Sequence, residues 1–291
     1  MMSADVVLSS LANGIMLGGL YALVAVGLTL IFGVMKIINF AHGSLMMLSM
    51  YATFWLAQTT GLDPYLSLLL TVPAGFALGY AVQRGVIAPV LAAPEHNQLL
   101  MTLGLALFLD NLALVVFKAD PRTLLVAYSQ STLGIGPLRL NLSRLLAFGG
   151  ALVISGLLAL FLKRTDLGRA LRAAAEERDG AALVGISVRR VYAVAFGIGA
   201  ACVAAAGTMA VPFFYVSPDV GNTFVITAFV VVVLGGLGSF PGALLGGLLV
   251  GIVESLGGLY FHGSLAQIGI FAVFILILLV RPAGLLGARH A

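Results

Sequence analysis

Apolar residues run through this chain in long stretches, broken at intervals by short clusters of Gly, Pro and charge. A helix crossing about 30 Å of hydrocarbon needs roughly 20 apolar residues at 1.5 Å each. Stretches that approach this length without paired charges are Val6 to Val34, Phe40 to Ala57, Pro64 to Val82, Leu99 to Phe117, Leu145 to Leu162, Val191 to Val211, Thr223 to Gly238, Gly242 to Gly258 and Leu265 to Val280. The first is long enough to tilt or break near Gly18-Gly19. The pair from Thr223 to Gly258 is interrupted by Gly235-Gly236-Leu237-Gly238-Ser239-Phe240-Pro241-Gly242. The pattern therefore predicts an all-α polytopic membrane protein of about eight or nine transmembrane helices.

Composition removes the alternative of a soluble fold. Of 291 residues, 61% are hydrophobic and 9% charged, against roughly a quarter charged in soluble domains. Glycine, at 36 residues, sits inside the apolar runs, as it does where membrane helices pack closely. Small-xxx-small spacings at Gly14 and Gly18, Gly75 and Gly79, Gly242 and Gly246, and Gly247 and Gly251 point to such contacts. The start, Met-Met-Ser-Ala-Asp, lacks the basic region of a cleavable signal, so the first span is expected to remain. The single cysteine, Cys202, lies in an apolar stretch and reads as a small core residue, and no Cys-rich metal site can be built. Residues 1–291 are expected to form one membrane domain, with residues 163–190 as its one substantial loop.

Charge sets the expected orientation, because cytoplasmic loops accumulate Lys and Arg. Residues 163–190 hold Lys163, Arg164, Arg169, Arg172, Arg178, Arg189 and Arg190, seven of the chain's fifteen. With this loop in the cytoplasm, parity places Lys118 to Arg144 outside, Lys36, Arg84, Arg281 and Arg289 inside, and the N-terminus outside. Within the loop, Asp166 is placed to cap a helix and Gly180 to end it. Leu167, Ala170, Leu171 and Ala174 form an apolar stripe, and Arg172 and Glu176 are spaced to pair on the other face. Such a helix needs something to lie against; the plainer reading is a polar connection on the lipid headgroups.

Two irregular segments could carry chemistry: Asn39-Phe40-Ala41-His42-Gly43, and Gly235-Gly236-Leu237-Gly238-Ser239-Phe240-Pro241-Gly242. The likeness of Asn39-Phe40-Ala41-His42-Gly43 to Gly238-Ser239-Phe240-Pro241-Gly242 suggests an internal repeat, a design used by many transporters. A lone His at a membrane end is more often a structural hydrogen-bonder than a ligand or proton carrier, and both readings of His42 stay open. Asp110 and Glu254 sit within apolar spans, where ionisable groups are costly and hence candidates for function, though either could bond to a neighbouring Ser or Asn. There is no G-x-x-x-x-G-K-[ST], H-E-x-x-H or G-x-S-x-G sequence, and no segment large enough for a nucleotide domain.

At three blocks the chain resembles the permease subunit of bacterial branched-chain amino acid ABC importers: Gly27 to Val34 running into Ile38 to Gly43; Thr165 to Arg172 through Gly185-Ile186; and Leu234 to Gly242. The closing Val280-Arg281-Pro282-Ala283-Gly284-Leu285-Leu286-Gly287 also fits the family pattern. The resemblance implies the shorter of two permease types, working in the bacterial inner membrane with a second permease subunit, two cytoplasmic ATPase subunits and a periplasmic binding protein. ATP and Mg would belong to the ATPases, with no cofactor or metal on this chain, no enzymatic activity of its own and no nucleic-acid partner. It further implies that Asp166, Leu167, Gly168, Arg169, Leu171, Arg172, Glu176 and Gly185 couple to an ATPase. Candidate pathway residues are Asn39, Phe40, His42, Gly43, Asp110, Gly235, Gly236, Gly238, Ser239, Pro241, Gly242 and Glu254. Ala174-Ala175-Glu176 with Gly185 departs from the Glu-Ala-Ala-to-Gly spacing of other importer classes. Rival readings are a permease for urea or short amides, a stand-alone secondary transporter or channel, and a membrane-embedded enzyme, for which the spans offer no paired nucleophile and base.

Overall fold

The computed structural model describes residues 4–136, 138–260 and 265–287. Met1 to Ser3 and Arg289, used above for the N-terminal and orientation readings, lie outside the described residues. The chain forms α1 (Ala4–Met35), α2 (Ala41–Thr60), α3 (Leu68–Val82), α4 (Glu95–Phe117), α5 (Leu142–Arg164), α6 (Asp166–Glu176), α7 (Arg178–Leu183), α8 (Val188–Ala210), α9 (Val220–Gly235), α10 (Phe240–Tyr260) and α11 (Leu265–Val280). Among the described residues, α1, α4, α5, α8 and α10 are long and apolar enough to cross a bilayer, and α9 and α11 are shorter apolar helices. A π turn, Gln83–Ile87, and a 3₁₀ turn, Ala88–Val90, lengthen the pass begun by α3.

Two expectations need correction. First, α1 does not break at Gly18-Gly19; it is one helix of 32 residues. The glycines serve contact instead of bending. A Cβ at Gly18 would lie 2.7 Å from the Gly247 carbonyl oxygen, and one at Gly247 would lie 2.5 Å from the Ala22 nitrogen. Antiparallel α1 and α10 thus touch backbone to backbone, which glycine alone permits. Gly75 and Gly79 of α3 do the same against Ala200, Ala204 and Phe196 of α8.

Second, the fold is not wholly helical. Between α4 and α5 lies an antiparallel hairpin, β1 (Thr132–Ile135) and β2 (Leu138–Asn141), with Thr132 opposite Asn141 and Ile135 opposite Leu138. Two short runs flanking Gly136, which has φ +60°, are a hairpin signal too short to register beside the long apolar stretches. Asn141 then caps α5 by accepting from the Arg144 N–H at 3.1 Å.

The bundle has two distinct ends. At the hairpin end, Asn13 of α1 donates to the Arg139 carbonyl at 3.1 Å, and Tyr128 donates to the Asp63 carboxylate at 2.7 Å. Burial and the adjacent Asp63 carboxylate push the Tyr65 and Tyr128 phenols above the usual tyrosine range. Arg122 exchanges backbone hydrogen bonds with Val216 and lies 5.1 Å from the Trp55 ring centre. At the opposite, basic end lie α6 and α7. Midway, the buried hydroxyls of Thr53, Thr208 and Thr71 link α2, α8 and α3 through contacts of 2.9 and 2.7 Å.

Gly247→Val forces the α1–α10 seam apart and should cost about 2–3 kcal/mol or more. Gly149→Ala, where nothing lies within 4 Å of the new Cβ, should be neutral or stabilising by up to about 1 kcal/mol. Thermal melting of the detergent-solubilised protein separates the two; equal losses would mean that the seam is not a tight contact.

Candidate functional site

At the basic end α6 lies across the base of the bundle. Thr165, extended at φ −101° and ψ 156°, caps it by accepting from the Gly168 N–H at 2.9 Å, so Asp166 stands inside the first turn and is not the cap. The helix ends at Glu176 and not at Gly180, because Glu177 turns extended and starts α7, accepting from the Asp179 N–H. Gly168 fits where a Cβ would lie 2.5 Å from the Phe161 and Leu162 carbonyl oxygens, and Leu171 is fully buried. The expected Arg172–Glu176 pair does not form. Arg172 reaches back to the Leu162 carbonyl, and Arg169 pairs with Asp166 instead. Glu176 lines a cavity of about 310 Å³ with Lys36, Glu95, Gln98 and Arg178. Beyond α7, Leu183 and Val184 are 89% and 76% exposed, and Gly185 turns the chain at φ +86°. The face of α6 toward the bundle is therefore fixed, while its charged face and the apolar Leu183-Val184 tip project outward.

The junction of α1 and α2 is re-entrant. Lys36, at φ +57°, ends α1 by donating its N–H to the Phe32 carbonyl at 2.8 Å. The chain then turns back along α1, so that the His42 Nε2 lies 3.0 Å from the Val24 carbonyl oxygen. At 1.5 Å per residue, Val24 stands about 16 Å along α1 from Met35; α2 therefore begins deep inside the bundle. A carbonyl only accepts, so His42 Nε2 carries the proton and Nδ1 faces the interior without a partner. The Asn39 amide, fully buried, has no partner for either atom, and α2 has no side-chain cap. Phe40 packs on Phe229, with ring centres 5.2 Å apart. Gly43 meets Gly221 of α9, whose added Cβ would lie 2.5 Å from the Gly43 carbonyl oxygen.

The glycine-rich break between α9 and α10 is filled by the chain's own C-terminal segment. Leu285 and Leu286 donate their N–H groups to the Leu234 and Gly235 carbonyls at 2.8 and 3.0 Å. Gly236 and Gly238 adopt φ +103° and +84°, and a Cβ at Gly236 would lie 2.6 Å from the Gly287 Cα. The Gly242 N–H donates to the Ser239 hydroxyl at 3.2 Å, and Pro241 stands in the first turn of α10. This segment is thus a backbone clamp.

The two intramembrane acids differ. Glu254 approaches the Tyr21 phenol and the Arg144 guanidinium between α1, α5 and α10. Asp110 accepts a long hydrogen bond from the Asn222 amide, 3.5 Å, while its other oxygen is buried without a partner. Asn222 lines two cavities, one of about 270 Å³ with Thr223, Thr227 and Gln267, and one of about 380 Å³ with Asp110, Asn111 and Asp219. Ser44, two residues beyond His42, reaches the Ala106 carbonyl at 3.5 Å and approaches Asp110. A polar track thus leads from the open face of α4, α9 and α11 toward the start of α2. Asn222 lies one residue before the predicted span, and Thr223 and Thr227 lie within it as uncharged residues of an apolar run. The i, i+4 spacing of Thr223 and Thr227, which puts both hydroxyls on one helix face, was the available signal.

The family described as branched-chain amino acid transport system permease component matches residues 10–280. The chain is 34% identical to the high-affinity branched-chain amino acid transport system permease protein BraD of Pseudomonas aeruginosa, over 96% of this chain and 95% of that protein. The same figures hold for LivH of Escherichia coli K12, which carries the same description. LivM of that strain, a permease protein of the same description, is 37% identical over 128 residues, 43% of this chain and 29% of LivM. No solved structure gives a significant match.

A wetted polar face should be chemically accessible. In Asn222→Cys, a membrane-impermeant maleimide should label the new thiol at least about tenfold faster than in Leu157→Cys on a lipid-facing surface, since only a solvated thiol ionises readily. The natural Cys202, 3% exposed, serves as a silent background. Equal labelling of the two variants would remove the case for an aqueous face.

Proposed function

The chain belongs to the branched-chain amino acid transport permease family, and we propose that it is one membrane-spanning half of an ATP-driven importer of branched-chain amino acids in the bacterial inner membrane. It is a multi-pass helical membrane protein, and its family is one of transport permeases and not of enzymes. ATP and Mg act on two separate cytoplasmic ATPase subunits, a periplasmic binding protein delivers the amino acid, and the second half is a permease of the LivM type. The partial likeness to LivM supports a partner built on related lines. In this reading the basic end faces the cytoplasm, in keeping with its Lys and Arg.

The observation that carries the proposal is the placement of α6. Its apolar side is packed under α1, α5 and α8 through Gly168, Leu171 and Ala174, while the side chains of Asp166 and Arg169 pair on its exposed side. A push on that outer side is transmitted to the bundle without loss in side-chain motion. The exposed Leu183 and Val184 supply the apolar anchor that such a contact needs.

The polar track suits a zwitterion. Asp110 offers a carboxylate to an ammonium group. The uncapped N-terminus of α2, with Asn39 and His42, offers N–H groups and a positive helix end to a carboxylate. Phe40, Gly43 and the α4 and α9 side chains supply apolar walls for an aliphatic side chain. Gly235, Gly236, Gly238, Ser239, Pro241 and Gly242 support the wall from behind, and Glu254 braces α10 against α1 and α5.

In proteoliposomes holding the whole complex, Leu183→Asp with Val184→Asp should cut substrate-stimulated ATP hydrolysis by at least about tenfold, the loss of one interface anchor. Full stimulation rejects the docking role, and uptake by this chain alone without ATP rejects the importer. Asp110→Asn should lower leucine uptake by about tenfold while stimulated hydrolysis persists. Undiminished leucine uptake in that variant removes the zwitterion assignment, and a binding protein that holds urea or an amide instead would replace the substrate class.

A further inference from the structure

An apolar groove of about 440 Å³ opens between α3, α5 and α8 toward the basic end, away from the polar track. Phe76, Leu157, Phe161, Val194 and Ile198 line it, and Leu167 of α6 reaches into the same groove. Open grooves in hydrocarbon are filled by acyl chains or by another helix.

An arginine follows the groove toward the basic end on α5, on α8 and in the π turn that continues α3. On α5, Arg164 stands three residues after Phe161 and seven after Leu157, on the same helix face. On α8, Arg190 stands four residues before Val194 and eight before Ile198. From α3, Phe76 stacks with Tyr80 at 6.2 Å, and the Arg84 guanidinium lies over Tyr80 at 5.5 Å from its centre. All three arginines are exposed, and among the described residues none forms a salt bridge. Three cations at the headgroup end of an apolar slot, with an aromatic ring at the boundary, complement the phosphate and acyl chain of a single amphiphile.

We infer that this groove is a site for an anionic phospholipid, with an acyl chain between α3, α5 and α8 and the phosphate held by Arg84, Arg164 and Arg190. Because Leu167 of α6 closes one wall, the lipid also braces the helix that the coupling proposal depends on, yet the site itself does not rest on that proposal. The convergence of three helix faces distinguishes it from a diffuse basic surface, which would attract headgroups without a seat for the chain.

The full-length chain, titrated with dioleoyl-phosphatidylglycerol or dioleoyl-phosphatidylcholine, should retain the anionic lipid preferentially when read by native mass spectrometry. Each arginine replaced by Gln should weaken that retention about fivefold, and the triple variant about a hundredfold, with phosphatidylcholine retention little changed. Ala201→Phe, which fills the groove, should reduce retention of both lipids. Should the arginine variants fail to fold, the wild-type charges can be kept: with the single tryptophan, Trp55, changed to Phe and Phe76→Trp as reporter, brominated phosphatidylglycerol should quench at lower mole fraction than brominated phosphatidylcholine. Equal retention or equal quenching by the two lipids overturns the site, as does a reporter shielded from both by a helix of the second permease.

Discussion

The closeness of α1 to α10 is the constraint on which the rest of the bundle depends. Helices in lipid gain nothing from hiding apolar surface, because the tails outside are as apolar as the partner inside; what holds them is contact between backbones brought near. Gly14 and Gly18 on one side, and Gly247 and Gly251 on the other, remove the side chains that would hold α1 and α10 apart. With that seam closed, α1 becomes a central post, buried on all sides from Met16 to Ile31 and surrounded by α5, α8, α9 and α10.

A fixed post makes the re-entrant segment possible. Irregular backbone at membrane depth survives only where protein shields it from lipid. The backbone here is held by protein contacts: the Ile38 carbonyl accepts from the Thr102 hydroxyl of α4 at 2.9 Å, Phe40 lies on Phe229, and His42 reaches the Val24 carbonyl. The Asn39 amide and the His42 Nδ1 are then left without partners in a segment that is otherwise held. Unmet hydrogen-bonding capacity in a buried place is costly, and it persists here beside the free end of a helix and five residues before Ser44, which approaches Asp110.

Much of this architecture was legible in the chain. Runs such as Val191 to Val211 read correctly as helices because a membrane span advertises itself by length alone, and the small-xxx-small pairs marked real contacts because only glycine allows them. Local caps were less legible: Thr165 and Asp166 both cap well by type, and the choice between them depends on backbone angles that a string of letters does not carry. The Arg172–Glu176 pair failed for a related reason, since spacing permits a pair but the Leu162 carbonyl, presented by a different helix, competes for the same guanidinium. The clamp of residues 285–287 on Gly235 and Gly236 joins two blocks nearly fifty residues apart, and nothing local to either block announces the other.

Position, more than residue type, separates the two acids within the spans. Glu254 approaches the Tyr21 phenol and the Arg144 guanidinium between three helices, and its Oε2 is buried without a hydrogen-bond partner. Asp110 has a long amide contact, the nearby Ser44 hydroxyl and one unpartnered oxygen, and it lines a cavity that opens to the surface. A carboxylate beside a cavity with a route to water is available to a passing cation, whereas one enclosed between helices and facing a guanidinium is less so. The default reading of an intramembrane acid as functional therefore has to be divided by asking what faces it: water-accessible cavities for Asp110, a phenol and a guanidinium between helices for Glu254.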